Sequence, residues 1–177
     1  MKKFILSLLV IILVIPSFAQ ATRNNEIAVT YGINALDIIA AGVNKTGRML
    51  VDTDVLNRHS AGIFGVEYFR RVSELVSVGG AFTYYKATDT TSEDTLVEKN
   101  YDFMPSVKLH WYQREWFSAY SKCGAGIGIA KDDDGTEVGF DWQVSLLGLE
   151  VGRTVRLFAE GGFGDQGVIM AGLRVRF

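Results

Sequence analysis

Residues that could carry out catalysis are few in this sequence, and they do not stand at catalytic spacings. There are two histidines, His59 and His110. Ester cleavage by a serine needs a neighbouring base, commonly histidine, and an acid that orients the base. Ser60 follows His59 directly, but the segment alternates as a β-strand, in which adjacent side chains point to opposite faces. The pair does not predict a dyad, and we assign no catalytic residues.

Acidic residues are densest at Asp132, Asp133, Asp134 and Glu137. Carboxylates bind calcium, but this spacing does not fit the ligand pattern of an EF-hand loop. Acidic hairpin loops are commonly exposed to water without holding an ion. The sequence therefore predicts no metal site and no cofactor.

Three glycines at alternate positions, Gly124, Gly126 and Gly128, have a spacing similar to that of a nucleotide-binding loop. Such a loop must follow a strand and open a helix, and that context is missing here. The glycines instead predict close packing within a strand. Cys123 is the only cysteine, so no intrachain disulfide is expected. The balance of 18 basic against 20 acidic residues argues against nucleic-acid binding.

The N-terminus has the three parts of a secretory signal peptide. Lys2 and Lys3 precede an apolar run at 4–15, and Pro16 then leads to small residues ending at Ala19. The run is too short to cross a bilayer of about 30 Å as a helix. We expect cleavage of residues 1–19, which leaves residues 20–177 as one domain; cleavage after Ala21 is the alternative.

The rest of the chain reads as segments in which apolar and polar residues alternate, the pattern of β-strands with two different faces. The predicted strands are 26–34, 57–70, 75–86, 100–112, 116–130, 138–149, 155–164 and 167–177. Longer connections follow the first, third and fifth strands, at 35–56, 87–99 and 131–137. Short turns at one rim and longer loops at the other are typical of transmembrane β-barrels. We call these the short-turn rim and the long-loop rim; the short connection after the seventh strand departs from the alternation.

The ionisable residues of the predicted strands share a face with small or polar residues. They are Glu26, Lys108, His110, Lys122, Asp141, Arg156, Glu160, Arg174 and Arg176. In a membrane barrel this face lines the interior and the apolar face meets lipid. We expect Glu26, Asp141 and Glu160 to neutralise the internal cations. Because eight strands enclose an interior that side chains just fill, an open pore is not expected.

Aromatic residues separate a membrane barrel from a soluble one. The predicted short-turn set is Tyr68, Phe69, Trp111, Tyr112, Trp116, Phe117 and Phe177. The predicted long-loop set is Tyr31, Tyr84, Tyr85, Tyr101, Phe103, Phe140, Trp142 and Phe163, with Phe64 and Phe158 left at mid-strand. Two aromatic belts are typical of the two interfaces of a bilayer.

The C-terminus completes a recognisable pattern, because Leu173, Val175 and Phe177 alternate with Arg174 and Arg176. It resembles the terminal signature of outer-membrane proteins, and the whole chain after residue 19 is similar to the small barrel families related to OmpX and to the transmembrane domain of OmpA. Gln20 and the Asp- and Thr-rich loop resemble Bacteroidetes versions. The resemblance implies barrel-assembly machinery as a partner through Phe177, together with periplasmic chaperones, and it implies no catalytic residues.

The sequence thus predicts an all-β, eight-stranded antiparallel up-and-down transmembrane β-barrel in the bacterial cell outer membrane. We expect a monomer among outer-membrane lipids and lipopolysaccharide, with a structural or surface-interaction role and no enzymatic activity. No wall-binding domain is expected after Phe177. The alternatives are a lipid A-modifying enzyme and a secreted lipocalin-like carrier. The sites 89–91 and 94–96 are candidates for O-glycosylation.

Overall fold

The structure is a computed structural model that describes residues 24–33, 58–90, 95–131 and 135–177. The predicted signal peptide, the whole 35–56 connection and the acidic run at 132–134 lie outside the described residues. So do Thr91 and Asp94 of the candidate glycosylation sites. No helix among the described residues is long and apolar enough to cross a membrane.

Eight antiparallel strands form a closed barrel, in which each strand pairs with the next and the first pairs with the last. The strands are β1 (Asn25–Ile33), β2 (Arg58–Arg71), β3 (Val76–Thr90), β4 (Thr95–Gln113), β5 (Phe117–Lys131), β6 (Thr136–Gly152), β7 (Val155–Gly164) and β8 (Ile169–Arg176). The predicted up-and-down barrel is confirmed, and every predicted strand is present. Its small size and strand order also confirm the resemblance at the level of the fold.

The alternation of residue types that predicted the strands also decides which side chains face the lumen. In β7 the side chains of Arg156, Phe158 and Glu160 are buried, while those of Leu157 and Phe163 are exposed. Side chains of successive strand residues alternate between faces, so one residue of slip would exchange the two sets. Closure leaves no edge between β8 and β1, where Asn25 and Phe177 exchange backbone hydrogen bonds of 2.9 Å.

The β3–β4 hairpin is longer than predicted. Residues 87–90 and 95–99, assigned to a connection from sequence, continue the strand ladder from Lys86↔Lys99 to Thr90↔Thr95. The segment contains β-branched threonine and valine, which suit a strand even when the flanking residues are polar. β5 and β6 similarly reach Lys131 and Thr136. Among the described residues, β3 to β6 therefore extend farther at the long-loop rim than β7, β8 and β1 do.

A β-bulge interrupts β6 on both of its ladders. The register shifts between Ser145 and Leu147, and Leu146 is the extra residue. A bulge leaves one residue outside regular pairing. The Ser121 hydroxyl on β5 donates a hydrogen bond to the Leu146 carbonyl on the outer face. This bond gives a partner to a carbonyl that the bulge removes from regular pairing.

The short β7–β8 connection is fixed by backbone geometry and a side-chain bond. Gly164 and Gly167 have φ values of 125° and 106°, a region that favours glycine. Asp165 accepts a hydrogen bond of 2.8 Å from the Trp142 backbone, and its own N–H donates to the Trp142 carbonyl at 3.0 Å. The turn is thereby attached to β6 where the β6–β7 ladder ends.

Candidate functional site in the lumen

The interior of the barrel holds a dense set of charged side chains. Its carboxylates are Glu26, Glu67, Glu150 and Glu160, and its cations are Lys108, Lys122, Arg156, Arg174 and Arg176. Each of them is 5% exposed or less. The predicted inward orientation is confirmed for the two carboxylates and five cations that the sequence analysis named, which are Glu26, Glu160, Lys108, Lys122, Arg156, Arg174 and Arg176.

Arg174 on β8 is the centre of this set, and its side chain is fully buried. Its Nη2 donates to Glu67 at 2.8 Å, and its Nη1 donates to Glu150 and, at 3.0 Å, to the Tyr120 hydroxyl. Its guanidinium also lies 4.2 Å from the Phe158 ring centroid. A planar guanidinium suits this position because it can address several acceptors and stack on a ring at once. Arg174 thus links strands on opposite sides of the lumen.

The two lysines occupy different sides of the cluster. Lys122 contacts Glu67 and lies 2.7 Å from Glu160, so it is held between two carboxylates. Lys108 contacts Glu26, and its Nζ lies 4.3 Å from the centroid of the Phe69 ring. Buried charges are tolerated when they are paired and hydrogen-bonded. Both ammonium groups meet that condition.

Toward the short-turn rim, two arginines connect the cluster to the backbone turns. Arg176 contacts Glu26 at 3.1 Å and Glu150 at 2.8 Å. Arg156 lies 3.5 Å from Glu150 and donates to the carbonyl of Glu115 at 2.8 Å. Arg156 also donates to the carbonyls of Arg114 and Arg153, at 3.3 and 3.2 Å. The ionic network therefore ends on the turns that close the barrel.

Two of the four carboxylates, Glu67 and Glu150, were not singled out from sequence. Glu67 has the same parity in β2 as the inward Gly65 and Phe69, which was a usable signal. Glu150 lies one residue beyond the predicted end of β6, and the strand extends to Gly152. Long-range partners such as Arg174 and Glu67, which are 107 positions apart, cannot be read from spacing.

Asp141 was expected to neutralise the internal cations, and that expectation is wrong. No ion pair between described residues includes Asp141. Its carboxylate instead lies over Gly128 on β5, where an added Cβ would be 1.9 Å from Asp141 Oδ2. Cross-strand from Gly128 is Asp102, which accepts a hydrogen bond of 2.6 Å from the Thr83 hydroxyl. Asp141 belongs to a separate acidic region nearer the long-loop rim.

That acidic region borders a pocket of about 150 Å³. The lining residues are Tyr85, Asn100, Asp102, Gly128, Ala130, Glu137, Val138, Gly139 and Asp141. Within the described ranges, no cluster of three or more histidine, cysteine, aspartate or glutamate side chains has a geometry that could hold a metal ion.

His110 lies inside the barrel near the short-turn rim, as predicted. Its Nε2 is 3.0 Å from the Ser77 hydroxyl, and both side chains are buried. The Nδ1 atom of His110 has no hydrogen-bond partner, so no acid orients the ring as a hydrolase mechanism requires. His59 lies in β2, but its side chain is outside the described part of the structure.

Most rings of the two predicted aromatic sets point outward. Exposed rings include Tyr31, Phe64, Tyr68, Phe103, Trp111, Tyr112, Trp116, Phe140, Trp142 and Phe163. Phe69 is a correction, because its side chain is fully buried in the lumen against Lys108. Tyr85, also assigned to a belt, is half-buried against the acidic pocket. For both residues strand parity, which fixes the face, decides against the belt. Phe158, which was left at mid-strand, is internal.

No protein-family model matches this chain, and no curated protein matches it. Among solved structures, the N-terminal β-barrel domain of Pseudomonas aeruginosa OprF is similar with a TM-score of 0.47 and 15% identity, over 88% of this chain and 96% of that chain. Ail, the attachment invasion locus protein of Yersinia pestis, is similar with a TM-score of 0.43 and 17% identity, over 87% and 97% of the two chains. The fold assignment rests on the strand pairing.

Proposed function

We propose that this chain is a bacterial outer-membrane β-barrel with a structural or surface-interaction role and a plugged lumen. The observation that carries the proposal is the reversed distribution of side chains. Arg174, Lys108 and Lys122 are 2% exposed or less, whereas Leu157, Phe140 and Leu173 are 46% exposed or more. Lipid is the solvent that suits an apolar exterior around an ionic interior.

Water would not suit the exterior of this barrel. Soluble monomers rarely expose contiguous apolar patches larger than a few hundred Å². Here the outward face of every strand carries exposed large apolar side chains, for example Val29, Phe64, Phe82 and Leu149. A basic residue turned to the lipid midplane would cost about 2–4 kcal/mol, which the inward placement of Arg174 and Lys108 avoids.

The ionic cluster supports a plugged lumen. Arg174, Tyr120 and Phe69 are among the largest fully buried side chains, and all three point into the barrel. Arg174 joins Glu67 of β2 to Glu150 of β6. A conducting path would have to separate these paired charges, which is costly in a low-dielectric interior. The proposal therefore does not include passive diffusion of solutes.

The alternatives are less well supported by the described residues. A lipocalin-like carrier needs an apolar cavity, whereas the described lumen is filled by ion pairs. A lipid A-modifying enzyme needs an accessible nucleophile with an oriented base. The buried Ser77–His110 pair has neither access nor an orienting acid. The extension of β3 to β6 at the long-loop rim instead favours contacts outside the cell.

Export and assembly complete the proposal. Cleavage of residues 1–19 would deliver the chain to the periplasm, where chaperones and the barrel-assembly machinery would receive it. The terminal Phe177 is the proposed signal for that machinery, and its backbone joins β8 to β1 through Asn25. Kinship with Bacteroidetes proteins and a monomeric state stay predictions from the sequence.

The orientation can be tested with adjacent inward and outward positions that do not touch the ionic cluster. Single cysteines replace Ala28 or Val29 on β1, and Ala81 or Phe82 on β3, in a Cys123→Ala background. Ala28 and Ala81 are at most 2% exposed, whereas Val29 and Phe82 are 44% and 47% exposed. Spin labels at 29 and 82 should be relaxed by membrane-dissolved oxygen, and the 28 and 81 positions should be protected. The reverse pattern, or a monomer that stays folded without detergent, contradicts the proposal.

A further inference from the structure

The turn between β4 and β5 forms a notch at the short-turn rim that the lumen does not explain. The notch has a volume of about 480 Å³ and is lined by Tyr112, Arg114, Trp116 and Phe117. Tyr112 and Trp116 are 49% and 62% exposed, so the notch opens outward.

A β-bulge creates the aromatic wall of this notch. The β4–β5 register shifts between His110 and Tyr112, so that Trp111 and Tyr112 are both exposed although they are adjacent. Without the shift, Tyr112 would share the inward face with His110. The shift places Tyr112 beside Phe117, with ring centroids 5.9 Å apart, and the ring centroids of Trp116 and Phe117 are 6.0 Å apart.

Arg114 supplies the charge at this notch. Its backbone N–H donates to the Phe117 carbonyl at 2.8 Å, which fixes the turn, and its Nε lies 3.3 Å from the Tyr112 hydroxyl. Among the described residues, no carboxylate forms an ion pair with Arg114. The neighbouring Glu115 is paired with Arg153 at 3.2 Å instead. Arg114 is therefore a cation without an internal counter-charge beside an apolar slot.

We propose that this notch binds one glycerophospholipid, with its phosphate on Arg114 and the first part of an acyl chain between Tyr112, Trp116 and Phe117. This inference rests on the proposed membrane location, which puts the short-turn rim at the interface where phospholipid phosphates lie. A guanidinium binds a phosphate through two parallel charge-assisted hydrogen bonds. Aromatic rings favour the same interfacial depth. The Arg114 guanidinium thus fits the phosphate of the headgroup, and the aromatic rings fit the acyl chain.

The test uses the full barrel in detergent micelles, with Trp116 as the only tryptophan after Trp111→Phe and Trp142→Phe. Brominated phosphatidylglycerol should quench Trp116 at about tenfold lower concentration than brominated diacylglycerol, which has the chains but no phosphate. The quenching should saturate at one lipid per barrel. Inorganic phosphate at the same concentration as the phosphatidylglycerol should not compete, because it lacks the chain; competition at that concentration would assign the site to free phosphate and overturn the lipid.

The control variants show whether the lipid preference comes from this notch or from any arginine at the short-turn rim. Arg114→Gln should abolish the preference for phosphatidylglycerol, and Arg114→Lys should retain part of it. Arg70→Gln should retain all of it, because Arg70 is also exposed at this rim but does not line the notch. Equal loss in the Arg114 and Arg70 variants, or equal quenching by both lipids, overturns the inference.

Failure of this inference can be told from failure of the proposed function. Each variant is first checked for heat-modifiable migration in a gel, which reports an intact barrel. A folded, detergent-dependent barrel without headgroup preference overturns the lipid site alone. A chain that is monomeric and folded in plain buffer overturns the membrane location as well.

Discussion

Arg174 and Glu67 are 107 positions apart in the sequence, yet the Arg174 Nη2 and the Glu67 carboxylate meet at 2.8 Å inside the barrel. The bond joins β8 to β2 across the lumen and does not follow the ladder, in which β8 pairs only with β7 and β1. Arg174 contacts Glu150 on β6 at the same time. One guanidinium thus connects strands across the interior, in addition to the backbone pairing between neighbouring strands.

Removal of the Arg174 charge should destabilise the barrel strongly. Arg174→Met keeps much of the side-chain volume but leaves Glu67 and Glu150 without this partner, and breaking a buried ion pair costs about 3–5 kcal/mol. The measurement is urea unfolding in detergent, followed by tryptophan fluorescence. Arg153→Met is the control, because its pair with Glu115 is about 70% exposed on both sides and should contribute little. Equal stability of the two variants would show that the Arg174 contacts are not structural.

A compensating variant separates the loss of charge from the loss of packing. Glu150→Gln in the Arg174→Met background removes one carboxylate that the first substitution left without this partner. We expect the double variant to recover part of the lost unfolding free energy, because a neutral amide is less costly to bury than a carboxylate that has lost its hydrogen bond from Arg174. A further loss instead of a recovery would mean that Glu150 is held mainly by Arg176 and Arg156.

The hydroxyl of Ser121 should matter because of the β6 bulge. Ser121→Ala leaves the Leu146 carbonyl without its side-chain donor on the lipid-facing side. An unsatisfied polar group away from water costs about 1–3 kcal/mol. Cys123→Ala changes the next outward position of the same strand and no part of the bulge, so its unfolding free energy should stay close to that of the original protein. A Ser121→Ala variant as stable as Cys123→Ala would exclude this role for the hydroxyl.

An added methyl group should change the stability of the barrel differently at Gly126, on the inner face, and at Gly161, on the outer face. An alanine Cβ at position 126 would lie 1.9 Å from the Phe103 carbonyl oxygen, so the backbone must shift. Overpacking of this kind typically costs about 1–3 kcal/mol. At Gly161 nothing lies within 4 Å of the added Cβ, and Gly161→Ala should be neutral or slightly stabilising. Thermal unfolding of the two variants in one detergent checks the difference, and a tolerated Gly126→Ala would contradict it.

Phe177 should affect assembly more than stability. Phe177→Ser keeps the backbone bonds to Asn25 but removes the proposed terminal signal. We expect a smaller assembled fraction in cells and near-normal refolding of purified protein into detergent, where no machinery is needed. Phe140→Ser, which changes a ring that is 74% exposed toward the other rim, is the matched control. If both variants assemble equally well in cells, Phe177 is not the signal.

Much of the fold was accessible from the sequence because a strand has a period of two. Alternation placed Lys108 opposite Val107 and Arg174 opposite Leu173, and the structure confirms both assignments. The strand limits were less accessible. β6 runs on through Glu150 to Gly152, and the β3–β4 ladder continues to Thr90↔Thr95, because backbone pairing can extend past the point where the apolar pattern stops.

The sequence by itself determined the number of strands and the two faces of each strand, since both follow from local alternation and the spacing of turns. Only the tertiary structure decided which charges meet, as with Arg174, Glu67 and Glu150, because closure of the barrel brings distant strands to one level of the lumen. It also decided that Tyr112 faces outward, because a bulge between His110 and Tyr112 reverses the alternation there. A bulge of this kind depends on how neighbouring strands pair, and that pairing is a long-range property of the chain.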